Sequence, residues 1–454
     1  MALHTIGNFI FDSHNLLLYD ATINREKLDG FVQSPEFDKV YNDARITLSK
    51  LNSEDLKMNK IAINMLGIIP TYNCNLRCTY CGYSSKENDK NILDINKVKL
   101  FVRDIIKKRT IKKLIYRTDE PLQVTITGGG EPTYDWELLQ QIMEFLKNEC
   151  TINNIPLFCQ ITTNGVLCEE KIEFLSKHFQ HVMVSYDGLP SLQDNNRRNN
   201  HGDKTNNIVE NSIRQLAKNN VPVTIRSTIW QKDYDRMREM YQHIFSLIPY
   251  ESNAKWSIYP TLYEGRAVNR INEQEHNPYK NFISNYVELC KVIMKEKGVC
   301  GLRKIEVPLF SNETYGIYCG AHMINHPWLI PDGSITPCIE SKDNQTKIGE
   351  VGPTGIVYYK KYSDPLLEIT KQKQDECRNC IAYHFCRGGC PIWHLRTENI
   401  RNEPLECGLI KEYWLYVIKS AVKGEYCFGW ELKKLNTDCK DKHIFKLFKN
   451  KENQ

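Results

Sequence analysis

The chain has 454 residues, is 41% hydrophobic and 25% charged, and carries a formal net charge of +5. That composition is ordinary for a soluble globular protein of about three domains, and the slight charge argues against nucleic acid or an anionic membrane as the main partner. The sequence has no run of 18 or more apolar residues and no basic-then-apolar leader at Met1–Thr5, which predicts a cytoplasmic protein in which seventeen cysteines serve metal rather than disulfides.

In chain order, residues 1–60 read as a small N-terminal region. Phe9–Phe11 and Leu16–Tyr19 flank a polar turn, as in a β-hairpin. Ser34-Pro35 then starts a helix on which Phe37, Val40, Tyr41, Ala44, Leu48 and Leu51 recur at helical spacing. This region is either a cap or a docking surface where a peptide adds a strand to the hairpin edge.

From 61 to 298 apolar strands alternate with amphipathic helices. Strands are predicted over 61–69, 122–127, 156–163, 181–186, 221–230 and 255–260. Helices are predicted over 95–108, 136–148, 169–177, 207–219, 234–247 and 279–297. Six such β–α units make a parallel sheet of the α/β class, with chemistry at the C-terminal strand ends.

Those strand ends carry the informative residues. After the first comes Cys74-Asn75-Leu76-Arg77-Cys78-Thr79-Tyr80-Cys81, spaced C-x3-C-x2-C. Three thiolates on one loop hold three corners of a cubic iron–sulfur cluster and leave the fourth iron without a protein ligand, as in catalytic rather than structural metal sites. The alternative is a zinc knuckle short of one ligand. After the second strand comes Gly128-Gly129-Gly130-Glu131-Pro132, where glycines let backbone approach a ligand closely and Glu131 adds a carboxylate. Thr162-Thr163-Asn164-Gly165 and Ser185-Tyr186-Asp187-Gly188 end the next two strands and are also ordinary turn sequences. Asp194-Asn195-Asn196-Arg197 offers a guanidinium suited to a carboxylate, with Arg198 as a neighbouring alternative.

Between 299 and 415 apolar periodicity weakens and cysteine, glycine and proline become frequent, as in regions that need metal to fold. Cys319, Gly333 and Cys338 are followed by Cys377-x2-Cys380-x5-Cys386-x3-Cys390 and then Cys407. His322, His326, His384 and His394 lie near these cysteines as supporting or structural residues. Cys150, Cys159, Cys168, Cys290, Cys427 and Cys439 read as ordinary core or surface residues. Residues 416–454 begin helically and end in a basic, solvated tail.

The cysteine loop, with Tyr80 before its last cysteine, and the Gly-Gly-Glu-Pro run resemble the signatures of radical S-adenosylmethionine (SAM) enzymes. The resemblance implies a partial (β/α)6 TIM-like barrel, with a [4Fe–4S] cluster on Cys74, Cys78 and Cys81. The cluster's open iron chelates SAM, and its electron splits SAM to a 5′-deoxyadenosyl radical that abstracts a hydrogen atom. It also implies SAM contacts from Tyr80 near the adenine and from Gly129, Gly130, Glu131 and Pro132 at the amino group. Asn164, and Ser185 and Arg197 at the ribose or carboxylate, complete that set. The later cysteines resemble the SPASM extension, which implies two auxiliary iron–sulfur clusters. Cys377, Cys380, Cys386 and Cys407 would hold the second; Cys319, Cys338 and Cys390 would hold the first, its fourth ligand being an open position, Cys300 or another group. Members of this group mostly mature peptides, so a precursor-peptide substrate and a flavodoxin or ferredoxin reductant are implied. Anaerobic sulfatase maturases carry an Asp base directly after the cysteine matching Cys338, where this chain has Ile339 and then Glu340. That departure favours side-chain cross-linking of the darobactin-maturase kind over sulfatase-type oxidation, thioether formation or epimerisation. A non-catalytic metal or electron-transfer protein is the alternative from another class.

Overall fold

The computed structural model describes residues 3–6, 9–12, 17–20, 64–83, 91–116, 120–249, 252–261, 265–270, 281–297, 305–306, 326–341, 346–353, 355–359, 363–386, 388–397, 405–423, 430–434 and 444–449. The chain divides into two compact units. One comprises Ile61–Pro308 and Ala321–Ser363, the other Met1–Lys60, Leu309–Gly320 and Asp364–Gln454.

In the latter unit, β1 (Leu3–Ile6), β2 (Phe9–Asp12) and β3 (Leu17–Asp20) pair antiparallel, and β2 with β3 is the expected hairpin. The helix expected near 35–51 lies outside the described residues.

The other unit is built on β4 (Met65–Ile68), β5 (Leu122–Ile126), β6 (Leu157–Thr163), β7 (His181–Ser185), β8 (Val223–Ile229) and β9 (Lys255–Pro260). Each is parallel to the next, as expected for a partial (β/α)6 barrel. The connecting helices are α1 (Ile95–Tyr116), α2 (Trp136–Ile152), α3 (Glu169–His178), α4 (Pro190–Asn196), α5 (Asn206–Lys218) and α6 (Met237–Ser246), with α7 (Phe282–Lys297) after β9. Alternation fixes the strands: Leu122, Val124 and Ile126 are fully buried while Gln123 and Thr125 are half-buried. Spacing fixes the helices: Leu139, Ile142, Met143, Leu146 and Cys150 bury one stripe of α2. Glu169 and Glu170 at the start of α3, with Lys177 at its end, complement its dipole. The short α4, which periodicity missed, has Pro190 in its first turn.

The region after 299, where little regular structure was expected, extends this sheet. β10 (Ile305–Glu306) pairs parallel with β9. On the opposite side β11 (Trp328–Leu329) pairs parallel with β4, then β12 (Ser334–Thr336), β13 (Gly349–Gly352) and β14 (Gly355–Tyr358) follow antiparallel. Gly67 of β4 makes this junction possible, because a Cβ there would stand 2.1 Å from the Trp328 ring. The β11–β12 turn carries Gly333 at φ +88, with Ser334 N donating to Asp332 Oδ1 at 2.8 Å. Helix α1 braces the extension: Lys97 Nζ donates to the Asp332 carbonyl at 2.9 Å and Asp104 accepts from Tyr358 at 2.8 Å.

The remaining described helices are α8 (Ser363–Glu376), α9 (Tyr383–Cys386), α10 (Pro391–Thr397) and α11 (Leu405–Lys423). The basic segment expected as a solvated tail instead supplies strand structure. β15 (Trp430–Lys434) pairs with β16 (Ile444–Lys449), and β16 pairs with β3 in the order β1-β2-β3-β16-β15. Ile444, Phe445, Leu447 and Phe448 give that segment strand propensity despite its lysines.

Candidate active site

The loop after β4 brings three thiols to the C-terminal end of the parallel strands. Cys74, Cys78 and Cys81 are half-buried, with Leu76 N donating to Cys74 Sγ at 3.4 Å. The end of α4 and the chain after it hold the loop in place: Arg77 N donates to Arg198 O and Thr79 N to Asn196 O, both at 2.8 Å. Asn200 Nδ2 donates to Cys74 O at 3.2 Å. Across the loop, Arg266 donates from its backbone to Cys81 O and from Nη1 to Cys78 O, each at 3.2 Å.

Burial, with Glu131 nearby, pushes the Cys74 thiol up to about 12. Burial pushes Cys78 up to about 11, against the pull of Arg197. Cys78 and Cys81 both raise Cys74, and Cys81 raises Cys78, so the sulfurs share one electrostatic neighbourhood. Such a trio becomes three thiolates only beside a cationic metal centre, and the donor set therefore fits an iron–sulfur cluster.

The glycine run lies against this loop. A Cβ on Gly129 would stand 2.2 Å from the Tyr72 ring, and one on Gly130 would stand 2.0 Å from Asn73 O. Gly130 N donates to Thr71 O at 3.2 Å and Glu131 N to Asn73 O at 2.7 Å. Glu131 is 3% exposed, and burial raises its carboxyl. Its Oε1 accepts from Thr133 N, Thr133 Oγ1 and Thr163 Oγ1, and its Oε2 from Asn164 N at 2.6 Å. This carboxylate fastens the ends of β5 and β6 together. Asn164 continues the tie, its Nδ2 donating to Asn75 Oδ1 at 2.7 Å. Pro132 is buried behind Glu131.

Asp187 is the residue that sequence reasoning passed over, because Asp-Gly at a strand end reads as a turn. It is 1% exposed and accepts from Tyr80 Oη at 2.6 Å, Arg197 Nε at 2.9 Å and Asn196 Nδ2 at 3.0 Å. The Arg197 guanidinium lies 5.2 Å from the Tyr80 ring centroid, and Trp230 meets that ring edge-on at 6.0 Å. Between the two candidate arginines the geometry distinguishes clearly. Arg197 is buried against Cys78 and Tyr80, whereas Arg198 is held by the carbonyls of Asp194 and Gly202. Asp194 itself accepts from Thr205 N and Asn206 N, fixing the start of α5. Ser185 ends β7, half-buried, opposite Arg226.

Ile339 packs with Tyr72 against Ile69, Trp328 and Ile330, and its carbonyl accepts from Tyr83 Oη at 2.7 Å. Cys338 follows β12, and Glu340 N donates to its sulfur at 3.4 Å. His326 is mostly buried, and burial lowers its pKa to about 4. Cys150 and Cys159 are core residues and Cys168 is exposed, as expected. Cys319, Cys300, His322, Cys427 and Cys439 lie outside the described residues.

In the other unit Cys377, Cys380, Cys386 and Cys390 sit on short helical turns. Cys380 N donates to Cys377 O at 2.8 Å, and Gly389 N to Cys386 O at 3.0 Å. Burial raises the Cys377 thiol, with Cys380 adding to the effect. His394 Nε2 meets Gly388 O at 2.5 Å, which pins the Cys386–Cys390 turn. Cys407 lies on α11.

Residues 68–244, the stretch that contains these three thiols, match the Radical SAM superfamily model. That stretch carries a radical SAM domain and the chain is an enzyme; the family implies SAM and a [4Fe–4S] cluster as cofactors. It is 22% identical over 371 residues to a cysteine-type anaerobic sulfatase-maturating enzyme of Clostridium perfringens, covering 77% of this chain and 94% of that one. The fold matches native anSMEcpe with bound AdoMet at a TM-score of 0.60 and 19% identity, over 79% of this chain and 98% of that one. It also matches Streptococcus suis SuiB bound to its precursor peptide SuiA at a TM-score of 0.51 and 18% identity, over 80% and 78%. Among the described residues no helix is long and apolar enough to cross a membrane.

Proposed function

We propose that this chain is a SPASM-type peptide maturase that cross-links side chains in a precursor peptide. Cys74, Cys78 and Cys81 would hold the cluster, and the glycine run with the strand ends of β5–β8 would hold SAM. Bound there, SAM and the cluster supply a hydrogen-abstracting radical. The protein's own part is positional. Gly129 and Gly130 bring the backbone close, with Glu131 and Pro132 behind them. Asn164 locks the β6 end to the cysteine loop, and Tyr80, Ser185 and Arg197 form the opposite wall. Cys377, Cys380, Cys386 and Cys407 would hold one auxiliary cluster and Cys319, Cys338 and Cys390 another, the latter supplying a place for the peptide or an acceptor for an electron. A flavodoxin or ferredoxin supplies the reducing electron.

The observation that carries the choice of reaction is Ile339. It packs in an apolar cluster where the sulfatase maturases, on the resemblance, place their Asp base. Isoleucine accepts no proton, and the similarity to a sulfatase-maturating enzyme and to a peptide-bound SuiB supports a peptide as substrate. The competing reading, sulfatase-type oxidation, draws on the former similarity alone. The test is anaerobic incubation with SAM, reductant and the short peptide encoded beside this chain, followed by mass spectrometry. A cross-link removes two hydrogens and blocks fragmentation between the joined residues. Unchanged mass with solvent deuterium uptake indicates epimerisation, and formylglycine in a sulfatase peptide indicates oxidation; either result refutes cross-linking.

A further inference from the structure

β14 is the outermost strand of the barrel unit's sheet on the side beyond β4 and, among the described residues, pairs only with β13. Tyr359 N donates to Ile348 O on the β13 side, so antiparallel alternation turns the backbone groups of Ile356 and Tyr358 away from β13. Such an edge is commonly guarded by proline or charge, and Gly355-Ile356-Val357-Tyr358 contains neither. Val357 and Tyr359 share one face and are 55% and 41% exposed. Tyr358 points the other way, to α1, where Lys108 Nζ lies 3.7 Å from its ring centroid.

Helix α1 concentrates the positive charge of the chain. It carries six lysines and two arginines against one aspartate, an excess of seven, where the whole chain has an excess of five. Arg103 is paired with Glu149 of α2. The single acid, Asp104, is already bound by Lys108 and by the Tyr358 hydroxyl. Lys107, on the same side of the helix as Asp104 and Lys108, is exposed and makes no ion pair among the described residues. On the opposite face of the sheet the charge is of the other sign, because Glu350 is exposed on the rung of Val357. An added strand is therefore matched when its acidic side chains face α1 and its apolar ones face Val357 and Tyr359.

We infer that β14 is a docking edge for an extended segment of the peptide substrate in which acidic and apolar residues alternate. The segment adds to the sheet as an antiparallel strand. β11 is parallel to β4, and β12, β13 and β14 then alternate, so β14 runs opposite to β4. A strand antiparallel to β14 runs with β4, and the residues that follow it leave at the end of the sheet that carries the cysteine loop. That the segment belongs to the substrate rests on the peptide-maturase reading; the preference for an acidic strand does not.

The test uses the full chain with its clusters reconstituted anaerobically, and fluorescence anisotropy with labelled Val-Glu-Val-Glu-Thr-Glu-Val. Three further probes are a twin with Lys for each Glu, one N-methylated at the Glu amides and one N-methylated at the Val and Thr amides. The Glu probe should bind about tenfold or more tighter than its Lys twin. One methylated probe should lose binding and the other keep it, since only every second amide faces β14. The variant Lys107→Glu with Lys108→Gln, shown to be folded and loaded by circular dichroism and iron content, should weaken the Glu probe about fivefold. Equal affinity of the Glu and Lys probes, equal effects of the two methylations, or unchanged binding in the variant each overturns the proposal. With the short peptide encoded beside this chain, the variant should raise KM about fivefold at unchanged kcat. An unchanged KM beside weakened probe binding overturns the substrate as occupant. No turnover of that peptide by wild type refutes the maturase reading, and the probes alone then decide the docking edge.

Discussion

At the scale of single residues the site depends on Asp187. Its carboxylate binds the Arg197 guanidinium, the Tyr80 hydroxyl and the Asn196 amide while almost wholly buried, so removing its charge strands a buried cation. Asp187→Asn is expected to destabilise the barrel unit by about 3 kcal/mol, measured as a shift in denaturant midpoint at constant slope. Asp187→Asn combined with Arg197→Met should recover part of that loss. Purely additive effects of the two changes would show that the ion pair contributes nothing. Glu131 is the second such residue. Glu131→Ala leaves four donors without an acceptor, so weaker SAM binding should come with a lower melting temperature, at unchanged iron content in folded protein. Weakened SAM binding at undiminished stability would mean that Glu131 meets the ligand without fastening the strands.

At the scale of elements, alternation and helical spacing made the six parallel strands and their helices legible, because burial there has one period per element. The cysteine loop and glycine run were legible because chemistry imposes their spacing. What was not legible depends on contacts distant in sequence. Gly67 admits Trp328, which seats β11 beside β4 from more than 250 residues away. Lysines at 446 and 449 masked a strand that only its pairing with β3 specifies. Arg266 closes over the cysteine loop from a stretch that carries no motif. The β11–β12 element also yields a prediction. Ile339→Asp places a carboxylate in the Ile69–Trp328–Ile330 cluster and should cost about 2 kcal/mol, read by urea unfolding. It should not confer formylglycine formation on a sulfatase peptide. Efficient conversion by that variant would show that this one side chain decides the reaction.

At the scale of the whole molecule, the Cys74–Cys81 loop and the Cys377–Cys407 cysteines fall in separate units and should lose metal independently. Cys380→Ala is expected to lower iron by about four per chain, one cube, and to loosen its own unit while the barrel unit keeps its cluster. Protease digestion with iron analysis of the fragments reads both effects. Loss of all iron on that single change would mean the units are not independent. The claim on which everything else rests is that Cys74, Cys78 and Cys81 hold the cluster that splits SAM. It is tested most directly by quantifying 5′-deoxyadenosine after anaerobic reduction with dithionite in the presence of SAM. Wild type should form the nucleoside. The variant with all three cysteines replaced by Ala should form none while keeping the iron bound by the second cysteine set. Undiminished nucleoside from that variant would contradict the assignment.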